Sequence, residues 1–240
     1  MILYLIRHGQ STNNLLDEEL KKRTEPFSFD EYMSRRVSEP PLTENGERQA
    51  DQLGTFIGSL PVAHLFCSPM LRTMQTMQPV ASSLGSAPSV WVDLHEHGGI
   101  FQRASADGEA VGLPGMGRTE MAANFPGYRL DGIDDKGWWF GGEEDRAGCH
   151  ARAVRVLEEL YRMAQDLAAD EAVAAISHGT FMDSLLKAMV GRLPGDQFYF
   201  NHHNTGITRV DFLPWGDKNC VPFFRYVNRT DHLVGDELTY

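Results

Sequence analysis

The sequence is poor in cysteine and in long apolar runs. Its cysteines, Cys67, Cys149 and Cys220, are widely separated and form no CxxC pair, so neither a disulfide framework nor a thiolate metal site is predicted. The apolar run Met1–Ile6 is too short for a signal-peptide core. No other run approaches the roughly 20 residues of a membrane span. We therefore expect a cytoplasmic protein without membrane contact.

Positive charge is also scarce. The chain carries 22 Lys and Arg against 33 Asp and Glu, a formal net charge of −11. This balance excludes a broad basic face of the kind that binds nucleic acid or anionic membrane. Any anionic ligand must instead find a local positive pocket against an unfavourable overall field. Oligomeric state has no signal in the sequence.

Strand-like and helix-like segments alternate along the chain. The predicted strands are Met1–Ile6, Val62–Phe66, Val90–Leu94, Ala172–Ile176, Gly206–Leu213 and Phe223–Val227. The predicted helices run from the N-cap Thr43 to about Ile57, then over Met70–Leu84 (with Pro79 inside), Glu143–Leu167 and Phe181–Val190. Asn13–Pro41 is predicted to be a long loop with some helical turns. The alternation predicts an α/β fold, a three-layer sandwich whose mostly parallel central sheet has helices on both faces.

The segment at about 98–142 differs from the rest of the chain. It holds 11 of the 23 glycines and the triplet Trp138-Trp139-Phe140. Large aromatic side chains are not typical of a linker. We expect an ordered, irregular lid insertion within a single domain that spans residues 1–240.

Charged and polar residues follow each of the first four predicted strands. In chain order they are Arg7, His8 and Gly9, then Ser68 and Arg72, then His95, Glu96 and His97, then Ser177, His178 and Gly179. Open α/β sheets bind ligands beyond the carboxyl ends of their strands. Two guanidiniums with imidazoles would neutralise a phosphoryl group and hold its oxygens. A histidine there can attack phosphorus while a carboxylic acid protonates the departing oxygen.

Two further expectations concern this strand edge. The glycines that follow the histidines, Gly9 and Gly179, have no Cβ and would let backbone N–H groups approach an anion. The arginines would supply the charge stabilisation that Mg²⁺ supplies in many phosphoryl-transfer enzymes. We therefore expect no metal and no cofactor.

Five stretches of the chain resemble the histidine phosphatase superfamily, also called phosphoglycerate mutase-like. They are LIRHGQSTNN at 5–14, PLTENGERQA at 41–50, CSPMLRTMQT at 67–76, LHEHGG at 94–99 and ISHG at 176–179. The resemblance implies a nucleophile, His8, that becomes a phosphohistidine, and a proton donor, Glu96. It also implies a phosphate pocket of Arg7, Arg72 and His178, and polar substrate-binding positions at Ser11 and Asn14, with Asn13 as a one-residue alternative.

The predicted function is that of a phosphomonoesterase acting on a small phosphorylated metabolite. A mutase of the phosphoglycerate type is the main alternative. The longer basic insertion of cofactor-dependent mutases is not recognisable, and Arg103, Arg118, Arg129 and Lys136 are scattered among acidic residues. A phosphate-binding regulatory module without turnover is a further alternative.

A metal hydrolase is the least favoured interpretation. Its ligands would be His95, His97, His202 and His203, helped by Asp134 or Asp135. No HExxH or similarly compact spacing occurs, and the adjacent His202 and His203 cannot easily aim both rings at one ion.

Overall fold

The fold is described from a computed structural model that covers residues 1–103, 108–216, 218–235 and 237–240, without the side chains of residues 218 and 219. The strands are β1 (Ile2–Arg7), β2 (Val62–Cys67), β3 (Ser89–Val90), β4 (Phe101–Gln102), β5 (Val111–Gly112), β6 (Ala172–Ser177), β7 (Ile207–Trp215) and β8 (Lys218–Arg229). Six of them form the central sheet in the order β3-β2-β6-β1-β7-β8. The first four run parallel, and β7 and β8 complete the sheet in antiparallel pairing.

Helices cover both faces of this sheet. They are α1 (Thr12–Lys21), α2 (Phe29–Arg35), α3 (Glu44–Gly58), α4 (Leu71–Leu84), α5 (Arg118–Asn124), α6 (Arg146–Asp166) and α7 (Gly179–Met189). Successive strand residues point to opposite faces. In β1, Tyr4 and Ile6 pack in the apolar cluster that includes α3 and α4, whereas Leu3 and Leu5 pack with α6 and α7. The predicted three-layer α/β sandwich is confirmed.

The segment 13–41 contains more helix than the sequence analysis expects. Ser11 starts α1 with a capping box, since its hydroxyl accepts the Asn14 N–H and the Asn14 side chain accepts the Ser11 N–H. Leu16 and Leu20, four residues apart, are the buried face of α1. Ser28 caps α2 in the same way, by accepting the N–H of Glu31. Two short helices therefore replace most of the predicted loop.

The predicted strand Val90–Leu94 is wrong beyond Val90. The Trp91 N–H still donates to the Cys67 carbonyl at 2.8 Å, but Val92–Leu94 forms one turn of 3₁₀ helix. The Ser177 hydroxyl fixes this turn by donating to the Leu94 carbonyl at 2.7 Å. The turn carries the chain around to Glu96 at the edge of the sheet.

The segment at 98–142 contains regular structure, although residues 104–107 lie outside the described part. It includes the β4–β5 hairpin and α5. Met121, Phe125 and Trp138 are buried in the same apolar cluster as α3 and α4. Much of the segment is thus core, and its role as a lid stays a prediction. Within the described residues, none of the helices is long and apolar enough to cross a membrane.

Candidate active site

A cavity of about 230 Å³ opens at the carboxyl edge of the sheet. Arg7 ends β1 and His8 follows it, Arg72 lies in the first turn of α4, and His178 follows β6. The rings of His8 and His178 lie 5.1 Å apart between centroids. The predicted residues that line the cavity are Arg7, His8, Ser11, Asn13, Asn14, Arg72 and Glu96. The structure therefore brings the predicted phosphate-binding residues together.

The hydrogen bonds of His8 define its tautomer. Nδ1 lies 2.7 Å from the carbonyl oxygen of Gly9, which can only accept, so Nδ1 carries the hydrogen. Nε2 accepts the Nε–H of Arg72 at 3.1 Å. Burial, together with Arg72 and Arg7, lowers the pKa of His8 well below its usual value. His8 is therefore a neutral imidazole whose Nε2 lone pair faces the arginines.

Two arginines of the cavity, the partly buried Arg7 and the buried Arg72, have no direct counter-charge. Arg7 Nη1 donates to the His202 carbonyl at 2.5 Å, while its Nε has no partner among the described residues. No carboxylate of the described residues lies within 4.0 Å of either guanidinium, and Glu39 and Glu96 act on Arg72 from further away. Burial lowers the pKa of Arg7 to about 10. A buried, unpaired cation is costly, and an anionic ligand would offset that cost.

His178 does not itself line this cavity, but its ring lies next to that of His8 and has a nitrogen without a partner among the described residues. Its Nε2 lies 2.8 Å from the Ser68 hydroxyl, which also accepts the Met70 N–H at 3.3 Å. Nε2 is the one acceptor that the described residues offer to the Ser68 proton, so we assign that proton to this bond and the imidazole hydrogen to Nδ1. Nδ1 is buried and has no partner among the described residues. Burial, and then Arg72, lower the pKa of His178 well below its usual value, so the ring is neutral and able to donate to an anion.

The carboxyl group of Glu96 is fixed at the start of α7. Its Oε1 accepts the N–H groups of His97 at 2.8 Å and Phe181 at 2.9 Å. Its Oε2 accepts the Thr180 N–H at 3.3 Å. The first N–H groups of a helix have no partner inside the helix and are commonly satisfied by a carboxylate. Glu96 therefore joins the β3 edge of the site to the β6 edge.

A buried arginine, Arg152, fixes the loop that carries Glu96. Arg152 Nη1 donates to the carbonyls of Asp93 and His95, both at 2.8 Å. Its Nε and Nη2 donate to the Glu144 carboxylate at 2.9 and 2.5 Å. The indole of Trp139 lies 4.9 Å from the His95 ring. We call this group, consisting of Arg152, Glu144, Asp93, His95 and Trp139, the loop anchor.

Ser11, Asn13 and Asn14 line the cavity, but their side chains also hold local structure. Asn14 Oδ1 accepts the N–H of Ser11 at 3.0 Å and its hydroxyl at 2.9 Å. The Asn13 amide exchanges two hydrogen bonds with the backbone of Val37, at 2.8 and 3.0 Å. Their role toward a substrate stays a prediction.

The two glycines that follow the histidines differ. The Gly9 N–H donates to the Thr76 hydroxyl at 3.0 Å, and a Cβ at Gly9 would lie 2.6 Å from the Gly46 carbonyl oxygen. Because the Gly9 N–H is already donated to Thr76, the expectation that it approaches an anion is wrong. Gly9 is needed instead for close packing against α3. A Cβ at Gly179 would lie 3.5 Å from Arg7 Nε, so this position is next to Arg7, but it lines a neighbouring cavity with Arg7 and Glu96 and not the one of about 230 Å³.

The proposed metal ligands are not brought together. His202 is hydrogen-bonded to Phe200 and Thr208, and His203 is hydrogen-bonded to Asn228. Asp134 accepts from the Lys136 backbone, and Asp135 from Thr119. In the part of the chain that the structure describes, no three His, Cys, Asp or Glu side chains are grouped around a possible metal position.

Sequence reasoning missed one wall of the cavity. Tyr32, Arg36 and Ser38 come from α2 and the chain after it, and Phe101 comes from β4. None of them belongs to a recognisable motif. Their only signal is that they lie in the polar segment 13–41 and next to the aromatic, glycine-rich segment, both of which lack periodicity.

The fold and the pocket together define an α/β protein with a positively charged cavity at the carboxyl edge of its sheet. The model of the histidine phosphatase superfamily (branch 1) matches residues 3–219. The chain belongs to this superfamily, as the sequence motifs predict.

Named relatives of the chain are of two kinds. It is 24% identical over 216 residues to a protein of Klebsiella pneumoniae named "Probable phosphoglycerate mutase GpmB", covering 89% of this chain and 86% of that one. Among solved structures, a mycobacterial glucosyl-3-phosphoglycerate phosphatase matches with TM-score 0.57 at 19% identity, over 95% of this chain and 98% of the other. A phosphoserine phosphatase of Entamoeba histolytica, in complex with 3-phosphoglyceric acid, matches with TM-score 0.59 at 20% identity, over 97% and 99%. At these identities the structural matches establish the shared fold.

Proposed function

We propose that the protein is a phosphomonoesterase that hydrolyses a small phosphorylated metabolite through a phosphohistidine on His8. The observation that carries the proposal is the pair of guanidiniums of the partly buried Arg7 and the buried Arg72, beside a neutral His8. Neither guanidinium has a carboxylate within ion-pair distance among the described residues. A phosphoryl group would supply the missing negative charge and place phosphorus next to Nε2. The unpartnered Nδ1 of His178 supports the same position for a phosphoryl oxygen.

The reaction has two steps. First, His8 Nε2 attacks phosphorus and the P–O bond to the alcohol breaks, while Glu96 in its acid form protonates the departing oxygen. The Arg72 N–H that bonds Nε2 in the free protein would turn to a phosphoryl oxygen. Second, Glu96 takes a proton from water, whose oxygen attacks phosphorus and releases phosphate and the free imidazole. The arginines stabilise the developing charge in both steps without a metal ion.

The name of several curated relatives, "Probable phosphoglycerate mutase GpmB", favours a second candidate, a phosphoglycerate mutase. A mutase must hold its substrate for rebinding and would profit from several further free cations near the pocket, whereas Arg36 is the one that the cavity offers among the described residues. Arg103 is paired with Glu143. Arg118 donates to the carbonyls of Ile133 and Leu130 at 3.0 and 2.6 Å. We therefore favour hydrolysis.

The test is p-nitrophenyl phosphate hydrolysis in EDTA by the wild type, His8→Ala and His203→Ala. His203 is the control because it is a histidine outside the cavity, partly buried and hydrogen-bonded to Asn228. We expect activity that survives EDTA, falls at least about 10³-fold in His8→Ala and persists in His203→Ala.

Each alternative has its own outcome in this experiment. Activity lost in EDTA would support a metal hydrolase, and a silent wild type would support a phosphate-binding module. Full activity in His8→Ala would contradict the phosphohistidine mechanism. Incubation with 3-phosphoglycerate and a trace of 2,3-bisphosphoglycerate separates the mutase, since rapid isomerisation without phosphate release would replace hydrolysis as the function.

A further inference from the structure

The catalytic cavity continues into a second cavity of about 550 Å³. The second cavity lies between α2 and the β4–β5 hairpin, and the two cavities share Arg36, Ser38 and Phe101. A phosphoryl group bound by Arg7 and Arg72 would fill only the floor of the first cavity. The organic part of a substrate would therefore extend toward the residues that both cavities share.

Arg36 is the cationic residue at this junction. Its guanidinium carbon lies 4.8 Å from the centre of the Phe101 ring, and its Nη1 lies 3.8 Å from the sulfur of Met33. Burial lowers the pKa of Arg36. No carboxylate of the described residues lies within 4.0 Å of this guanidinium. Arg36 is thus partly desolvated, oriented by an aromatic ring and without an ionic partner.

Two neighbouring arginines, in contrast to Arg36, do have carboxylate partners. On the same helix, Arg35 lies 3.4 Å from the Glu31 carboxylate. Across the second cavity, Arg103 is paired with Glu143. A guanidinium offers two parallel N–H groups that match a carboxylate and are stronger than neutral hydrogen bonds.

We propose that Arg36 binds a carboxylate on the organic part of the substrate, so that the substrate is a phosphomonoester that also bears a carboxylate. This inference rests on the proposed phosphatase function. A second phosphate would suit the site less well, because Glu109 also lines the second cavity and Arg36 is its one guanidinium, among the described residues, without an ionic partner. A monoanion needs only one such group.

The test compares substrates that differ only by the carboxylate. One pair is O-phosphoserine and O-phosphoethanolamine, and the other is 3-phosphoglycerate and glycerol 3-phosphate. We expect the wild type to favour the carboxylate member of each pair in kcat/KM by about ten- to hundredfold. Arg36→Gln should remove most of that preference. Arg35→Gln, one residue away and outside both cavities, should keep it.

A binding measurement separates this proposal from the proposed function. Calorimetric titration of the same four compounds into His8→Ala protein, with and without Arg36→Gln, reports the preference in the absence of turnover. A preference in Kd that is lost with Arg36→Gln supports the carboxylate site even if the wild type hydrolyses nothing. Equal affinities within each pair, or a preference that survives Arg36→Gln, would overturn it even if p-nitrophenyl phosphate is hydrolysed.

Discussion

Two buried arginines, Arg152 and Arg72, lie near Glu96 and its loop, and their surroundings are opposite. Arg152 in the loop anchor is 1% exposed, and its donors reach the Glu144 carboxylate and two backbone carbonyls. Arg72 in the cavity is 8% exposed, and the one hydrogen bond that the described residues offer its side chain goes to His8. Where a buried charge stabilises the fold, other residues of the fold supply its hydrogen-bonding partners. Where the partners are missing, a ligand is expected to provide them.

The largest effect should come from breaking the loop anchor. Arg152→Met keeps much of the side-chain volume but leaves the Glu144 carboxylate and two loop carbonyls without their donor. Removing one partner of a buried ion pair costs about 3–5 kcal/mol. We expect a loss of this size in the free energy of unfolding, measured by urea denaturation.

A neighbouring arginine gives the control for this prediction. Arg155 also bonds Asp93, at 3.3 Å, but it is exposed on the surface of α6, so Arg155→Met should cost no more than about 1 kcal/mol. The double variant Arg152→Met with Glu144→Leu should recover part of the loss, because no unpaired charge then remains. Equal urea midpoints for Arg152→Met and the wild type would show that the loop does not depend on the anchor.

The same substitution in the cavity should have the reverse effect. Arg72→Met removes a buried cation that has no carboxylate at ion-pair distance among the described residues, so the melting temperature should stay level or rise. Its kcat/KM for p-nitrophenyl phosphate should fall about 10²–10³-fold, as expected when one preorganised donor to the transition state is lost. A drop in melting temperature as large as that of Arg152→Met would mean that Arg72 is structural, and the comparison would fail.

Sequence reasoning recovered the cavity better than the loop anchor, for a physical reason. Arg7 ends a buried strand, and His8 and His178 directly follow buried strands. The carboxyl ends of parallel strands lie at one edge of the sheet, whatever path the connecting segments take. No such rule predicts the position of Arg152. It lies in the middle of α6, where an arginine ordinarily faces water, and its partners come from Glu144 and the 93–95 loop.

The errors of sequence reasoning have the same origin. The alternating apolar pattern of Val90–Leu94 predicts a strand, but only a tertiary contact, from Ser177 to Leu94, shows that the chain turns there. Arg36 and Phe101 meet at the cavity although 65 positions separate them in the sequence. Such contacts depend on how loops pack, which local patterns do not encode.

The pH dependence of stability also distinguishes the loop anchor from the cavity. Burial, with Arg152, lowers the pKa of His95 to about 4, against roughly 6.5 in an unfolded chain. Above pH 6.5 both states are neutral and the histidine contributes nothing. Below it the unfolded state binds a proton that the folded state does not, so the free energy of unfolding falls by up to about 1.4 kcal/mol per pH unit until about pH 4.

The measurement is urea denaturation at pH 7 and at pH 5 for the wild type and His95→Gln. The loss between the two pH values should be smaller in His95→Gln by about 2 kcal/mol. Inorganic phosphate, if it binds beside His178, should reduce the acid sensitivity that His178 contributes and leave the His95 share unchanged. An identical pH dependence of the two proteins would contradict a neutral, buried His95.

The smallest effect separates Gly9 and Gly179, the glycines that follow His8 and His178. Gly9→Ala places a methyl group 2.6 Å from the Gly46 carbonyl oxygen, so α3 must shift, at a cost of about 1–3 kcal/mol in unfolding free energy. Gly179→Ala meets Arg7 Nε at an ordinary 3.5 Å, and stability should change by less than about 1 kcal/mol. Its methyl group would however lie against Arg7 Nε, so the affinity for inorganic phosphate should fall. Measuring urea midpoints and phosphate affinity for both variants tests the pair, and a Gly179→Ala protein that binds phosphate as the wild type does would remove Gly179 from the site.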